Sequence, residues 1–275
     1  MENVFNQWLL VSDIDGTLNS KSGKLPLQNK TAILDYVAKG GNFTLCSGRN
    51  LQSLSIHYKK LNIETPAIFL NGAGIYDFSK KEIIYFNPIS TEGENIILEL
   101  LSKYKTLQLT IFAPEKIYRV KRTCIYGYVI TKLDGLSNEL CKTVKDVPRG
   151  IWGKATFFGT PKLLKKICAL IKSTEYNSVF DCFFTSPVTL EIVSAGVNKG
   201  HGVKQLASLL NVSEENTAAI GDYYNDESMF RFVKHPVCCG QAPEDLKALC
   251  EKSVCHCNDG AVAQFIEYIT DTYIV

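Results

Sequence analysis

The sequence has no long apolar run and almost no excess charge of one sign. No segment approaches the ~18 consecutive apolar residues of a transmembrane helix, and the first apolar run ends at Ser12 and Asp13 without a cleavage signature. Lysine and arginine total 30, against 28 for aspartate and glutamate. Since such a balance creates no overall field for nucleic acid or an anionic membrane, we expect neither partner. These absences predict a cytoplasmic protein.

A dinucleotide-binding fingerprint is also missing. The turn after the first apolar run reads DIDGT and contains no GxGxxG. It places negative charge where the pyrophosphate of a dinucleotide would sit. A dehydrogenase-like function is therefore disfavoured.

Cysteine is abundant, with ten residues, but the cysteines form no framework typical of a small secreted domain. We predict reduced, mostly buried thiols, as in other cytoplasmic proteins. Cys250, Cys255, His256 and Cys257 are close enough in sequence to suggest a metal site. Residues 253–257 are predicted to form a strand, however, with Cys255 and Cys257 on one face and His256 on the other. That alternation disfavours a structural metal.

Both ends of the chain alternate short apolar runs with amphipathic stretches. Near the N-terminus the pattern predicts strands at 8–12, 43–46 and 67–70 and helices at 27–39 and 51–61. Near the C-terminus it predicts strands at 217–220, 235–239 and 253–257 and helices at 199–210, 226–233, 242–251 and 261–269. Strands that alternate with helices form right-handed crossovers and a parallel sheet. We therefore predict one α/β sheet built from both ends.

The middle of the chain, from about 78 to 187, is richer in β-branched and aromatic residues. Strands are predicted at 107–112, 117–120, 125–130 and 155–158, with helices at 91–104 and 161–172. This order suggests an α+β insert with an antiparallel sheet. Because 275 residues exceed the usual size of one domain, we predict a core of residues 1–77 and 188–275 interrupted by a second domain of residues 78–187.

Four polar clusters follow the predicted core strands or open a core helix. In a parallel sheet, ligands bind beyond the carboxyl ends of the strands. The four clusters, which we expect to converge in one crevice, are DIDGT at 13–17, SGR at 47–49, Lys199, and GDYYND at 221–226.

The carboxylates of these clusters indicate a cation. Asp13, Asp15 and Asp222 would repel one another unless a cation lay among them. Oxygen ligands without a nearby cysteine or histidine suit Mg²⁺ better than zinc. The sequence therefore predicts a magnesium site.

The remaining groups of the clusters suit a phosphate. Lys199 offers a positive charge, while Ser47 and the amides of Gly48 and Arg49 are predicted to open a helix whose N-terminus attracts anions. Once its charge is screened, a carboxylate can attack phosphorus and form an acyl-phosphate. Asp15 is placed to protonate the leaving alkoxide and later to deprotonate the attacking water.

The motifs DIDGT, SGR, a lysine that opens a helix and GDYYND occur in the order of the four signature motifs of the haloacid dehalogenase superfamily. NGAG at 71–74 and NDGAVAQFIEYI at 258–269 resemble the Cof-type phosphatases with a type IIB cap. The resemblance covers residues 8–77 and 190–269. It implies a Rossmann-like core, with residues 78–187 as the cap.

The resemblance also implies a role for each motif residue. Asp13 is the implied nucleophile and metal ligand, Asp15 the general acid/base that binds metal through its carbonyl, and Asp222 the residue that completes the metal site. Ser47, Gly48, Lys199 and Asn225 are implied to hold phosphate, with Thr17 and Asp226 as supporting residues. At Cys238, Cys239 and Gln241 the sequence departs from residues that are frequent in the family, which concerns local packing and not the chemistry.

The sequence therefore predicts a Mg²⁺-dependent phosphomonoester hydrolase that acts on a small organic phosphate, as a monomer or small homo-oligomer. The preference for sugar phosphates comes from the resemblance alone. One alternative is a phosphotransferase such as a phosphohexomutase, which passes the phosphoryl group from the aspartate to a sugar. Another is a non-catalytic regulatory module, which the intact DIDGT motif disfavours.

Overall fold

The structure is a computed structural model, and it describes residues 4–120 and 138–274. These residues form two compact units. The first contains residues 4–48, 55–84 and 198–274, and the second contains residues 49–54 and the described part of 85–197. The strand predicted at 125–130 lies outside the described residues.

The described residues form both β-strands and α-helices. The strands are β1 (Leu9–Ser12), β2 (Asn42–Leu45), β3 (Ala67–Phe69), β4 (Gly74–Asp77), β5 (Glu82–Phe86), β6 (Gln108–Phe112), β7 (Ile117–Val120), β8 (Asn138–Cys141), β9 (Lys154–Phe158), β10 (Phe180–Ser186), β11 (Thr189–Ser194), β12 (Thr217–Gly221), β13 (His235–Cys238) and β14 (Lys252–Ser253). The α-helices are α1 (Leu27–Ala38), α2 (Leu51–Leu61), α3 (Thr91–Lys103), α4 (Pro161–Ser173), α5 (Lys199–Leu209), α6 (Glu227–Phe232), α7 (Glu244–Lys247) and α8 (Ala261–Ile269). Among these described helices, none has the length and apolar character needed to cross a membrane.

A five-stranded parallel sheet forms the centre of the first unit. Its strand order is β14-β13-β12-β1-β2, so strands from both ends of the chain lie side by side. Leu9, Leu10 and Val11 on the central strand β1 are completely buried. Burial of successive residues is typical of a parallel strand that is covered on both faces. The predicted α/β fold with a parallel sheet is confirmed.

Helix α5 carries Lys199 as its first residue. Its N-cap is Asn198, whose side-chain oxygen accepts a hydrogen bond from the backbone N–H of His201 at 2.9 Å. An N-cap of this kind satisfies one of the unpaired donors of the first helical turn. The helix packs against α6 and against β3. The start of α5, and with it the backbone of Lys199, is therefore fixed.

The second unit contains a six-stranded sheet with the order β10-β11-β9-β6-β7-β8. Its described pairs are antiparallel except for β7 and β8, which are parallel. Trp152, Phe157 and Phe180 are completely buried in its core together with Leu100 of α3 and Ile167 of α4. The predicted α+β character of the inserted domain is confirmed.

Some predicted elements differ from the structure. The strand predicted at 253–257 is correct only at Ser253, because β14 ends there and a 3₁₀ turn covers Cys257–Asp259. His256 caps that turn through Nδ1, which accepts a hydrogen bond from the backbone N–H of Asn258 at 3.1 Å. The helix predicted at 242–251 shortens to Glu244–Lys247.

The hairpin of β10 and β11 was not predicted, and Pro187 lies between its two strands. The predicted domain limits at residues 77/78 and 187/188 stay predictions. The second compact unit runs to residue 197 and includes residues 49–54.

A close contact between two glycines holds α5 against the end of β3. A Cβ atom at Gly202 would lie 2.5 Å from Cγ2 of Ile68 and 2.8 Å from Cα of Gly72. A Cβ atom at Gly72, whose φ is +93°, would lie 2.1 Å from the carbonyl oxygen of Asn198. The helix can approach so closely only because both positions lack a side chain.

We predict that Gly202→Ala lowers the melting temperature. Alanine gains about 1 kcal/mol of helix propensity over glycine, but overpacking against backbone typically costs about 1–3 kcal/mol. Ser208→Ala is the matched control, since Ser208 is exposed on the same helix. A thermal melt in which Gly202→Ala is as stable as the control would contradict the importance of the contact.

Candidate active site

Asp13 directly follows the central strand β1. Its backbone N–H donates a hydrogen bond to the carbonyl oxygen of Ile220 in β12 at 3.0 Å, so the ladder of the sheet fixes its position. The residue is 5% exposed. A buried carboxylate needs charged or hydrogen-bonding partners to offset its loss of hydration.

Lys199 supplies that partner. Its side chain is completely buried, and its Nζ lies 2.5 Å from Oδ1 of Asp13 and 2.5 Å from Oδ1 of Asp226. One ammonium group thus bridges two buried carboxylates that come from different strand ends. We call these three residues the buried ion triad.

Asp226 uses both of its carboxylate oxygens within the protein. Oδ1 binds Lys199, while Oδ2 accepts hydrogen bonds from the backbone N–H groups of Asp222 at 2.9 Å and Tyr223 at 3.2 Å. A Cβ atom at Gly221 would lie only 2.4 Å from Oδ2. Asp226 therefore fixes the loop after β12 and orients the lysine.

Asp222 lies beside the loop that follows β1. Its Oδ1 accepts a hydrogen bond from the hydroxyl of Thr17 at 3.1 Å. Gly16 has a φ of +86°, and a Cβ atom there would lie 2.5 Å from Oδ2 of Asp222. Two features therefore favour glycine at position 16: the left-handed backbone conformation, and the carboxylate of Asp222, which leaves no room for a side chain.

Ser47 and Gly48 occupy the adjacent strand end. The carbonyl oxygen of Ser47 accepts a hydrogen bond from the backbone N–H of Asn71 at 3.0 Å. The backbone N–H of Ser47 donates a hydrogen bond to the carbonyl oxygen of Ile68 at 3.1 Å. Helix α2 begins only at Leu51, so the amides that were predicted to open a helix lie in the loop before it.

Asn71 is a site residue that the motif analysis did not assign. It is 5% exposed and has a φ of 57°. A Cβ atom at Gly48 would lie 2.9 Å from the Oδ1 atom of Asn71, so the Asn71 amide faces the loop that contains Ser47 and Gly48. An asparagine followed by glycine after an apolar run is the signal that could have indicated it, since asparagine tolerates the left-handed conformation.

Asp15 and Asn225 are exposed at the same end of the sheet. The charge of Asp15 contributes to a raised pKa of Asp13, which places the two carboxylates within electrostatic reach of each other. Asn225 lies in the 3₁₀ turn Tyr224–Asp226 that ends at the buried ion triad. The roles assigned to these residues stay predictions.

The electrostatics of the site reflect its burial. Burial raises the pKa of Asp13 to about 8; Lys199 opposes the shift, and the negative charges of Asp226 and Asp15 add to it. Burial alone would lower the pKa of Lys199, but the charges of Asp13 and Asp226 outweigh it and raise the pKa. Burial and the charge of Asp226 also raise the pKa of Asp222. Each carboxylate therefore favours additional positive charge nearby.

The donor set of this site fits a hard cation. Carboxylate oxygens of Asp13, Asp222 and Asp226 lie within 4.8 Å of one another. Because both oxygens of Asp226 are engaged with Lys199 and two backbone amides, Asp13 and Asp222 are the carboxylates best suited as direct ligands. Mg²⁺ prefers oxygen ligands, and this site brings several carboxylate oxygens close together.

The model of the haloacid dehalogenase-like hydrolase family matches residues 10–266, and the chain belongs to that family. A Buchnera aphidicola (subsp. Schizaphis graminum, strain Sg) protein named "Putative phosphatase" is 29% identical over 231 residues, which cover 80% of each chain. The pyridoxal phosphate phosphatase YbhA of Escherichia coli K12 is 22% identical over 263 residues, which cover 94% of this chain and 97% of YbhA.

Solved structures share the fold. A haloacid dehalogenase-like hydrolase from Bacteroides thetaiotaomicron superposes with a TM-score of 0.86 at 22% identity and covers 95% of this chain and 99% of its own. The subclass IIB sugar phosphatase BT4131 superposes with a TM-score of 0.81 at 21% identity, covering 98% of this chain and 100% of its own. The predicted superfamily, its fold and a phosphatase-type enzyme are thereby confirmed.

The raised pKa of Asp13 has a consequence for stability. A carboxyl group that binds its proton more tightly in the folded state stabilises the fold at low pH, and this contribution is lost as the pH rises towards the folded pKa of about 8. In metal-free protein, Asp13→Asn removes this pH-dependent contribution, because the amide of asparagine does not ionise in this pH range. We therefore predict that the melting temperature of the variant rises relative to that of the parent as the pH increases from about 5 to about 8.

Melts in the presence of a chelator measure this difference. Asp35→Asn serves as the control, because Asp35 is an exposed carboxylate on α1. A difference between Asp13→Asn and the parent that stays constant with pH would be incompatible with a raised pKa at Asp13.

Proposed function

We propose that the chain is a Mg²⁺-dependent phosphomonoester hydrolase that forms an aspartyl-phosphate on Asp13 and acts on a small organic phosphate. The observation that carries this proposal is the buried ion triad beside Asp222. A completely buried lysine between two carboxylates, next to a third carboxylate, is costly unless the site handles an anion together with a cation. A phosphate ester with a divalent cation meets both requirements.

The first half of the reaction transfers the phosphoryl group to the protein. A carboxylate oxygen of Asp13 forms the bond to phosphorus while the bond from phosphorus to the ester oxygen breaks. Asp15, exposed and two residues further on, donates its proton to the departing oxygen, which leaves as an alcohol. The products are the aspartyl-phosphate on Asp13 and an ionised Asp15.

The second half releases inorganic phosphate. Asp15 accepts a proton from a water molecule as the water oxygen bonds to phosphorus. The bond between phosphorus and the Asp13 oxygen breaks, and the free carboxylate returns. Asp15 is then protonated again, so the cycle consumes one ester and one water.

The phosphate group needs donors on several sides. We assign this role to Lys199, to Ser47 with the backbone of Gly48, and to Asn225. Lys199 is held at Asp13 already, which places positive charge where the phosphoryl oxygens gain charge during transfer. Asp226 acts through Lys199 and the loop of Asp222, and so it positions these residues.

Asp13, Asp222 and the carbonyl oxygen of Asp15 would hold Mg²⁺. When bound, the cation screens the repulsion between the nucleophilic carboxylate and the anionic substrate. Thr17 supports the arrangement through its hydrogen bond to Asp222.

Sugar phosphates are the substrate class that we favour. The support is the fold shared with the sugar phosphatase BT4131, although the relative YbhA is named for pyridoxal phosphate. We further propose a cytoplasmic location, a monomer or small homo-oligomer, and no nucleic-acid partner. A phosphate-release screen over sugar, nucleotide and cofactor phosphates tests the function, and release from none of them would overturn it.

We predict that Asp13→Asn reduces turnover on the order of 10⁴-fold or more, because an amide cannot form the acyl-phosphate. The measurement is release of p-nitrophenol from p-nitrophenyl phosphate with Mg²⁺. Asp35→Asn, with an exposed carboxylate removed, should retain the parent rate. Substantial turnover by Asp13→Asn would exclude Asp13 as the nucleophile.

We predict that Lys199→Met lowers kcat about 10²–10³-fold, as loss of one preorganised charge-stabilising donor does in other enzymes. Methionine keeps most of the buried volume but leaves Asp13 and Asp226 without their bridge. Lys204→Met is the matched control, because Lys204 is exposed on the same helix. Equal kcat values for the two variants would show that Lys199 takes no part in the transfer.

A further inference from the structure

Gln241 lies on the loop between β13 and α7, and its side chain reaches the catalytic loop. Its Nε2 donates a hydrogen bond to the carbonyl oxygen of Gly16 at 2.5 Å. Its Oε1 accepts a hydrogen bond from the backbone N–H of Cys257 at 3.0 Å. Because one partner is an acceptor and the other a donor, the orientation of the amide is determined.

The same amide also contacts a proposed magnesium ligand. The Gln241 side chain lies close enough to the carboxylate of Asp222 to oppose the rise in its pKa, and Thr17 binds that carboxylate from another direction at 3.1 Å. Gln241 thus binds the turn after Asp15 and lies beside Asp222. These two segments approach closely at Gly16, where a Cβ atom would lie 2.5 Å from the Asp222 carboxylate.

We propose that Gln241 is a positioning residue for the cation, which fixes the Asp15–Gly16 turn and Asp222 relative to each other. The inference rests on the proposed function for the identity of the cation. Removal of a group that hydrogen-bonds to a metal ligand without binding the metal itself typically weakens metal affinity by about 10–100-fold. Gln241 binds the carbonyl oxygen of Gly16, next to Asp15, and is anchored at the backbone N–H of Cys257. The Gly16 position in turn lies against the Asp222 carboxylate, so the placement of one segment affects the other.

The test is a calorimetric titration of the whole protein with Mg²⁺ in the absence of substrate. Gln241→Met keeps the length of the side chain without its hydrogen bonds, and Gln241→Asn keeps the amide but shortens the reach by one methylene. We expect Gln241→Met to weaken Mg²⁺ binding about 10–100-fold. The Mg²⁺ affinity of Gln241→Asn should lie between those of Gln241→Met and the parent. With substrate, the Mg²⁺ concentration for half-maximal rate should rise similarly, while kcat at saturating Mg²⁺ stays within about threefold.

Gln264 offers a matched control. Its Oε1 accepts a hydrogen bond from the backbone N–H of Cys255 at 2.8 Å, two residues from the Cys257 amide that Gln241 binds. Gln264→Met therefore removes a comparable anchor of the same segment, and we expect its Mg²⁺ affinity to stay within about twofold of the parent. Thermal melts with and without Mg²⁺ separate the two roles, since a purely structural role lowers both melting temperatures equally.

Two results would overturn the proposal: equal Mg²⁺ affinities for Gln241→Met and Gln264→Met, or a parent protein that binds no Mg²⁺. A parent that binds Mg²⁺ but releases phosphate from no ester would overturn the proposed function and leave the role of Gln241 intact.

Discussion

The buried ion triad is the interaction on which the site depends. Burying an ammonium group and two carboxylates costs several kcal/mol per ion, and their attraction offsets this only when the geometry is good. Lys199 meets Oδ1 atoms of Asp13 and Asp226 at 2.5 Å, and the second oxygen of Asp226 is satisfied by two backbone amides. With Asp222 ionised, three carboxylates face one lysine. A site with this negative excess favours a bound cation, and this is the physical reason for which we propose magnesium.

The precision of the triad comes from backbone contacts that leave no room for side chains. Gly16 and Gly221 each lie so close to a carboxylate that a Cβ atom would come within about 2.5 Å of it. Gly202 and Gly72 bring the start of α5 to the end of β3 in the same way. These glycines belong to different segments, yet each places a charged group of the same site. The sheet sets the positions of the loops, and the glycines set their separation.

Much of this arrangement follows from the sequence because the determinants are local. Helix α2 and helix α8 have the predicted limits, and the polar residues after β1 and β12 lie at adjacent strand ends as a parallel sheet requires. The strand predicted at 253–257 is shorter than predicted: backbone hydrogen bonds to β13 and Gly240 reach only Cys255, and the side chains of Gln241 and Gln264 bind the backbone N–H groups of Cys257 and Cys255. The hairpin β10–β11 was missed because its pairing depends on tertiary partners that a local pattern does not contain. Asn71 did carry a local signal, an asparagine before glycine after an apolar run, but no role was assigned to it.

The position of Gln241 shows how a departure in sequence can have a physical meaning. Gln241 is one of the positions at which the sequence departs from residues that are frequent in the family, and the sequence alone related this departure to local packing. In the structure its amide spans from the Cys257 N–H to the Gly16 carbonyl. A shorter amide in the same backbone cannot hold both partners, because one methylene corresponds to more than the tolerance of a hydrogen bond. The length of this side chain therefore matches the separation between the loop that contains Gln241 and the loop that contains Gly16. That separation affects the distance between Asp222 and the loop that follows Asp13.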